Sequence, residues 1–249
     1  MRDHYVGAMR GVALGICPDA TLADITHEIA PQDILGGALE LAAAYKYFPQ
    51  GTVFLCVVDP GVGSARRGLA AEAAGYRFVA PDNGLLTMVF KEALPKQVVE
   101  LTDRQYARPT ISRTFEGRDR FAPAAAWLAK GIELRVLGKT LTTWQMLDVP
   151  EPRVSGRQLS GTVLRLDRFG NLVTNIDRHS FDAFAAGDPV EIQVAGHAIA
   201  RVVDTYAEAD SGAACALFGS TDHLEIAIAG GSAAERFGLR RGAPVVVRR

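Results

Sequence analysis

The chain has 249 residues, 48% of them hydrophobic and 22% charged, which is enough to bury one large core or two ordinary ones. A net charge of −1 provides no global basic field to draw nucleic acid, and no apolar run is long enough to span a bilayer. The opening MRDHYVGAMRG lacks the long apolar segment of a signal peptide, and Cys17, Cys56 and Cys215 are scattered among apolar neighbours, so the expectation is buried thiols in a reduced cytoplasm rather than a disulfide frame or a metal site.

In chain order, residues 5–16 read as a helix followed by Pro18-Asp19, and Ala20–Ile25 as a short strand. Pro31 to Phe48 carries helical spacing through Ile34, Leu35, Leu39, Leu41 and Tyr45, and Pro49 stops it. The continuous apolar run from Gly51 to Val58 suits a strand covered on both faces, as in a parallel sheet. Leu69–Ala73 and Arg77–Ala80 read as strands separated by Ala74-Gly75, Pro81-Asp82-Asn83-Gly84 breaks the chain, and Leu85–Phe90 starts a helix. Phe121 to Ala129 is an Ala-rich helix closed by Gly131. This alternation predicts an N-terminal layered α/β domain over residues 1–150 with a mostly parallel sheet.

The texture changes at VPEPRVSGRQLSG, which reads as a linker. Beyond it come six short strands: Gly161–Asp167, Val190–Val194, His197–Val203, Ala213–Phe218, Leu224–Ile228 and Ala243–Arg248. With no convincing long helix among them, residues 157–249 read as a small β-barrel or sandwich.

Three clusters can carry chemistry. In VVDPGVGSARRG, Asp59 ends a buried strand, and the outer edge of such strands is where open α/β sheets bind ligands. Asp-Pro-Gly is equally an ordinary turn, and Arg66 and Arg67 are either partners for its carboxylate or solvated surface charges. In TFEGRDRFAP, Asp119 is a candidate N-cap for the following helix, while Gly117 allows close approach to the backbone with Glu116 or Arg118 facing a ligand. In LDRFGNLVTNI, Asn171 offers a donor and an acceptor suited to an adenine edge, although a hairpin turn explains the local pattern as well. Asp24, His27, Glu28 and Asp33 lack metal-ligand spacing, and His179, His197 and His223 are dispersed. Neither a dinucleotide-binding glycine fingerprint, a P-loop nor a nucleophile elbow is present.

Together and in this order, DHYVGAMRG, DITHEIAPQD, VVDPGVGSARR, APDNG, TFEGRDRFAPAAA, DRFGNLVTNI and TYAEADSG…GSTDHLEIAI resemble the S-adenosyl-L-methionine hydroxide adenosyltransferases, hydrolytic relatives of the adenosyl fluorinases and chlorinases. The resemblance implies an α/β domain followed by a β-barrel domain, and a homotrimer whose sites form between subunits. It implies S-adenosyl-L-methionine as a small-molecule substrate, with no cofactor, and attack by water on C5′ to yield adenosine and L-methionine. The family's catalytic Asp and Arg fall on Asp59 and Arg66, and Glu116 occupies the position of its His. By the same resemblance, Phe169, Asn171 and Tyr206 serve the adenine, together with backbone groups from His223 through Glu225 to Ala227. Asp3 and Asp167 would hold the methionine ammonium, and Ser220 and Thr221 its carboxylate.

Two departures from the family pattern bear on activity. Glu116 adds negative charge beside Asp59 where the family has a His. Family members also begin with a strand ending in Thr-Asp-Phe-Gly, whose Asp binds the ribose, and the sequence starts just downstream of it, so the expected sheet lacks that strand. The rival expectations are a non-catalytic adenosine-binding or S-adenosyl-L-methionine-binding protein and, against the charge of Asp59, a halide-using adenosyltransferase.

Overall fold

The computed structural model describes residues 3–249, and the chain divides into two compact units after Leu147.

The first unit opens with α1 (Tyr5–Ile16) and then runs without a strand through residues 20–25, contrary to expectation. Asp24 in that segment pairs instead with Arg10 and with His27, whose Nε2 is 3.1 Å from Oδ1. Helix α2 (Ile34–Ala44) starts where the Asp33 carboxylate accepts from Gly36 N–H at 2.9 Å and ends in a short 3-10 turn ahead of Pro49. Five strands follow in sequence: β1 (Val53–Leu55), β2 (Gly68–Ala73), β3 (Tyr76–Pro81), then α3 (Thr87–Glu92), β4 (Gln97–Leu101), α4 (Ala122–Ala129) and β5 (Gly138–Thr140). Their order across the sheet is β1-β3-β2-β4-β5.

The α/β class is as expected, but the sheet is not mostly parallel. Only β1 and β3 run parallel, and the pairs β2–β3, β2–β4 and β4–β5 are antiparallel. For β2 and β3 the cause is connection length: Ala74-Gly75 alone joins them, and so short a link can only make a hairpin. The apolar runs reflect helices on both faces rather than strand direction. Leu69, Ala71, Tyr76 and Phe78 face α2 and α3, while Ala70, Val79 and Val99 face Ala124, Ala125 and Leu128 of α4. Helix α1 packs on α4.

The second unit holds β6 (Arg153–Ser155), β7 (Gln158–Leu166), β8 (Leu172–Asp177), α5 (Arg178–Ala185), β9 (Glu191–Val194), β10 (His197–Ile199), β11 (Ala214–Phe218), β12 (His223–Ile228), α6 (Ala233–Phe237) and β13 (Pro244–Arg248). The sheet runs β10-β9-β13-β7-β8-β12-β11 with β6 on β7. It closes on itself just past β10, where Val203 N–H donates to the Ala216 carbonyl and Ala216 N–H to the Arg201 carbonyl, both at 2.9 Å. Val163, Leu172, Ile176, Leu224, Ile226 and Val245 fill the interior. Helix α5 was not expected. Its apolar stripe is only Phe181, Phe184 and Ala185, and Asp177 caps it by accepting from Ser180 N–H at 2.8 Å. The thiols of Cys17, Cys56 and Cys215 are free, but only Cys215 is fully buried.

Candidate active site

Beyond Leu55 the chain stays extended, with Cys56 N–H still donating to the Val79 carbonyl at 2.9 Å, and then turns at Pro60. The turn folds Arg66 back onto Asp59. Arg66 Nε donates to Asp59 Oδ1 at 2.8 Å, Nη2 donates to Oδ2, and Nη1 holds the Arg67 carbonyl at 3.2 Å. Two parallel bonds fix the carboxylate plane as well as its charge. The side chains of Asp59 and Arg66 are only 6% and 9% exposed, so the pair is built into the protein and is neither a bare turn nor a solvated surface charge. The next arginine does a different job: Arg67 binds buried Asp82 through Nε at 2.8 Å, which anchors the Pro81–Gly84 break. Asn83 Nδ2 then donates to the Val58 carbonyl at 2.8 Å, bracing the strand end from which Asp59 hangs.

Glu116 arrives from the other side. Residues Gly117–Phe121 form a π-helical turn running straight into α4, and Glu116 sits at its head. Its Oε2 accepts from Arg66 Nη2 at 3.0 Å and lies 3.7 Å from Arg120 Nη1. One guanidinium thus serves two buried carboxylates, and the Phe121 ring lies 5.1 Å from its Cζ. Asp119 is not an N-cap. It is fully buried inside the π-turn, where Arg118 Nε reaches it at 2.7 Å and Ser112 N–H at 2.8 Å. Burial works to raise its carboxyl, but Arg118, Ser112 N–H and Arg108 prevail and hold it below the ordinary aspartate value. Gly117 lies under α1, where a Cβ would stand 3.0 Å from Met9 Sδ.

A second polar cluster lies on the outer face of the barrel in the second unit. Asp167 Oδ1 accepts from Phe169 N–H at 2.9 Å and Asn171 N–H at 2.8 Å, and its Oδ2 from Asn171 Nδ2 at 2.9 Å, which makes a tight side-chain-closed turn. Gly170 adopts φ +82° there, and a Cβ would fall 2.0 Å from Ser232 Oγ. Asn171 Nδ2 also reaches Tyr206 Oη at 3.4 Å, and that hydroxyl donates to Glu225 Oε2 at 3.0 Å. Burial raises the Glu225 carboxyl above its ordinary value, with Asp167 adding to the rise and the Tyr206 bond opposing it. Burial, and then Glu225, push the Tyr206 phenol up to about 12. Because side chains alternate along a strand, Glu225 and Ala227 point away from the interior that Leu224, Ile226 and Ile228 fill.

The structure therefore gathers Asp59, Arg66 and Glu116 in one unit, and Asp167, Asn171, Tyr206, Glu225 and Ala227 in the other. Phe169 projects from the turn at 76% exposure. Ser220 and Thr221 lie in the hairpin between β11 and β12, next to Gly219. Asp3 is exposed ahead of α1, where its Oδ1 accepts from Tyr5 N–H at 3.3 Å. Tyr5 in turn sets its ring against Phe115, the residue before Glu116. Sequence reasoning missed three supporting residues: Asn83, Arg120 and Phe121. Arg120 alone had a local signal, standing four positions after an acid at a helix start. No group of three or more metal-ligating side chains occurs among the described residues, and no helix there is long and apolar enough to cross a membrane.

An α/β unit and a closed barrel, each presenting preset polar groups, are the build of a protein that handles a polar small molecule. Residues 1–138 match the family model of the SAM hydroxide adenosyltransferase N-terminal domain and residues 161–246 that of its C-terminal domain, so the chain belongs to this family. It is 36% identical to a protein named (R)-S-adenosyl-L-methionine hydrolase from Thermus thermophilus, over 98% of this chain and 94% of that one. It is 30% identical to a fluorinase from an Actinoplanes species, over 77% of this chain and 74% of that one. The crystal structure of an uncharacterized conserved protein from Thermotoga maritima superposes with a TM-score of 0.93 at 34% identity, covering 100% of this chain and 97% of that one.

Proposed function

We propose that the protein hydrolyses S-adenosyl-L-methionine to adenosine and L-methionine. Water attacks C5′ in line with the C5′–S bond. The new C–O bond forms as the C–S bond breaks, the bonding pair leaves with sulfur as a neutral thioether, and the water's proton passes to a carboxylate and on to solvent. No general acid is needed, because the leaving group departs from a sulfonium uncharged. No cofactor is needed either, because nothing is oxidised or reduced.

The observation that carries this reading is the buried fork between Arg66 and Asp59. Each carboxylate oxygen spends one lone pair on Arg66 and keeps another, so Asp59 can accept from a water while its own plane stays fixed. Its charge also suits a sulfonium and disfavours a halide. Glu116, on the same guanidinium, is the second acceptor for the water's proton. Asn171, Tyr206 and the β12 backbone through Glu225 and Ala227 would hold the adenine, with Phe169 against its face; the closeness that Gly117 allows is taken up by Met9 of α1. Asp167 and Asp3 would take the ammonium, and Ser220 and Thr221 the carboxylate. Because the two clusters lie on separate units, the finer proposal is a homotrimer in which one copy supplies Asp59 and the next supplies Asn171. Cytoplasmic residence belongs to the same proposal, and the net charge of −1 supplies no attraction for nucleic acid.

Incubation with S-adenosyl-L-methionine in H₂¹⁸O tests this. Methionine should appear together with adenosine carrying the label at its 5′-hydroxyl. Tight binding of S-adenosyl-L-methionine without product, or a halide-dependent 5′-halo-adenosine, overturns it. Light scattering at the mass of three chains supports the trimer, and the mass of one chain rejects it.

A further inference from the structure

Arg66 Nη2 is asked to serve two acids at once, Asp59 Oδ2 and Glu116 Oε2. Two buried carboxylates on one guanidinium leave the cluster one negative charge in excess, and every step of Glu116 toward Nη2 weakens the hold on Asp59. The neighbouring cation is Arg120, one turn along, with Nη1 3.7 Å from Glu116 Oε2. Gly68 makes room for the helix that carries it: a Cβ there would stand 2.5 Å from Phe121 Cε1, while Arg120 Cδ lies alongside at 3.4 Å. Its other face lines a cleft with Glu100, Thr102, Asp103, Arg104 and Tyr106. The charged groups around Glu116 are thus Asp59 and Arg66 from the turn after β1 and Arg120 from its own helix. Arg118, also on that helix, is turned to Asp119, and His4 from the head of α1 meets the Phe115 ring.

We infer that Arg120 is a positioning residue: it shares the charge of Glu116 with Arg66, so that the Arg66 fork keeps both of its bonds to Asp59. This rests on the hydrolytic reading above and assigns Arg120 no contact with substrate. Glu116 and Arg120 act as one unit, and removing the cation matters only while the acid is present.

Four proteins test this: wild type, Arg120→Gln, Glu116→Gln and the double variant, with Arg120→Lys as the rescue. Arg120→Gln should lower kcat about tenfold with KM for S-adenosyl-L-methionine nearly unchanged, because the nucleophile's holder loosens while the binding groups stay in place. Arg120→Lys should recover most of the loss. In the Glu116→Gln background the same Arg120→Gln change should cost nothing further. Equal losses in both backgrounds, a change in KM alone, or a lysine variant no better than glutamine overturns the inference. If wild type makes no adenosine, the hydrolytic reading fails separately, and thermal unfolding of the same four proteins decides the pairing. Melting-temperature losses smaller in the double variant than the two single losses combined support it, and additive losses reject it.

Discussion

Arg66 and Asp59 meet edge to edge, Nε on one carboxylate oxygen at 2.8 Å and Nη2 on the other. Asp59→Asn keeps the shape and removes the charge. Adenosine formation should fall at least about 100-fold while adenosine still binds by calorimetry. Arg66→Lys should approach the same loss, because a point charge cannot span both oxygens.

Phe121 is fully buried at the join of the π-turn and α4, beneath the Arg66 guanidinium. Phe121→Ala should cost about 3–5 kcal/mol in urea unfolding. Phe121→Leu should fold and bind adenosine, yet turn over about fivefold more slowly, because the ring under the guanidinium is gone. Unchanged kcat in the leucine variant would remove the ring from the mechanism.

Gly219 stands against Glu225 so closely that a Cβ would lie 1.8 Å from Oε1. Gly219→Ala must displace that carboxylate from Tyr206. Adenosine affinity should drop about tenfold, one hydrogen bond to a charged group being worth that much, with the melting temperature changing far less than for Phe121→Ala.

The raised Glu225 carboxyl has a pH signature. Above the ordinary glutamate value of 4.5, the folded state holds this proton longer than the unfolded chain does, so stability falls as pH rises through that window. Glu225→Gln removes the effect. Its melting temperature relative to wild type should therefore climb from pH 4 to neutrality, and a flat difference would contradict the burial argument.

Much of this was legible because it is local. The turn that returns Arg66 to Asp59 is written in eight consecutive positions, and Asp167 and Asn171 close a turn on themselves. The stop at Pro49 was legible, whereas the start was carried back to Pro31 because the Asp33 cap was not read. Strand direction was not legible from burial, since helices cover both faces of either kind of sheet, although the two-residue link before Tyr76 carried that information. Helix α5 escaped because three apolar residues make too narrow a stripe to stand out. Asn83 escaped because its partner Val58 is distant in sequence and is a carbonyl, for which no residue type is a marker.

The Arg201–Val203 stretch, by giving one carbonyl and one amide to Ala216, occupies the middle of the outer edge of β11, so a neighbouring molecule's strand cannot pair along that edge without displacing it. Copies of this chain that meet at that rim therefore depend more on side chains, which are encoded residue by residue. That favours an assembly of fixed size over open-ended polymerisation.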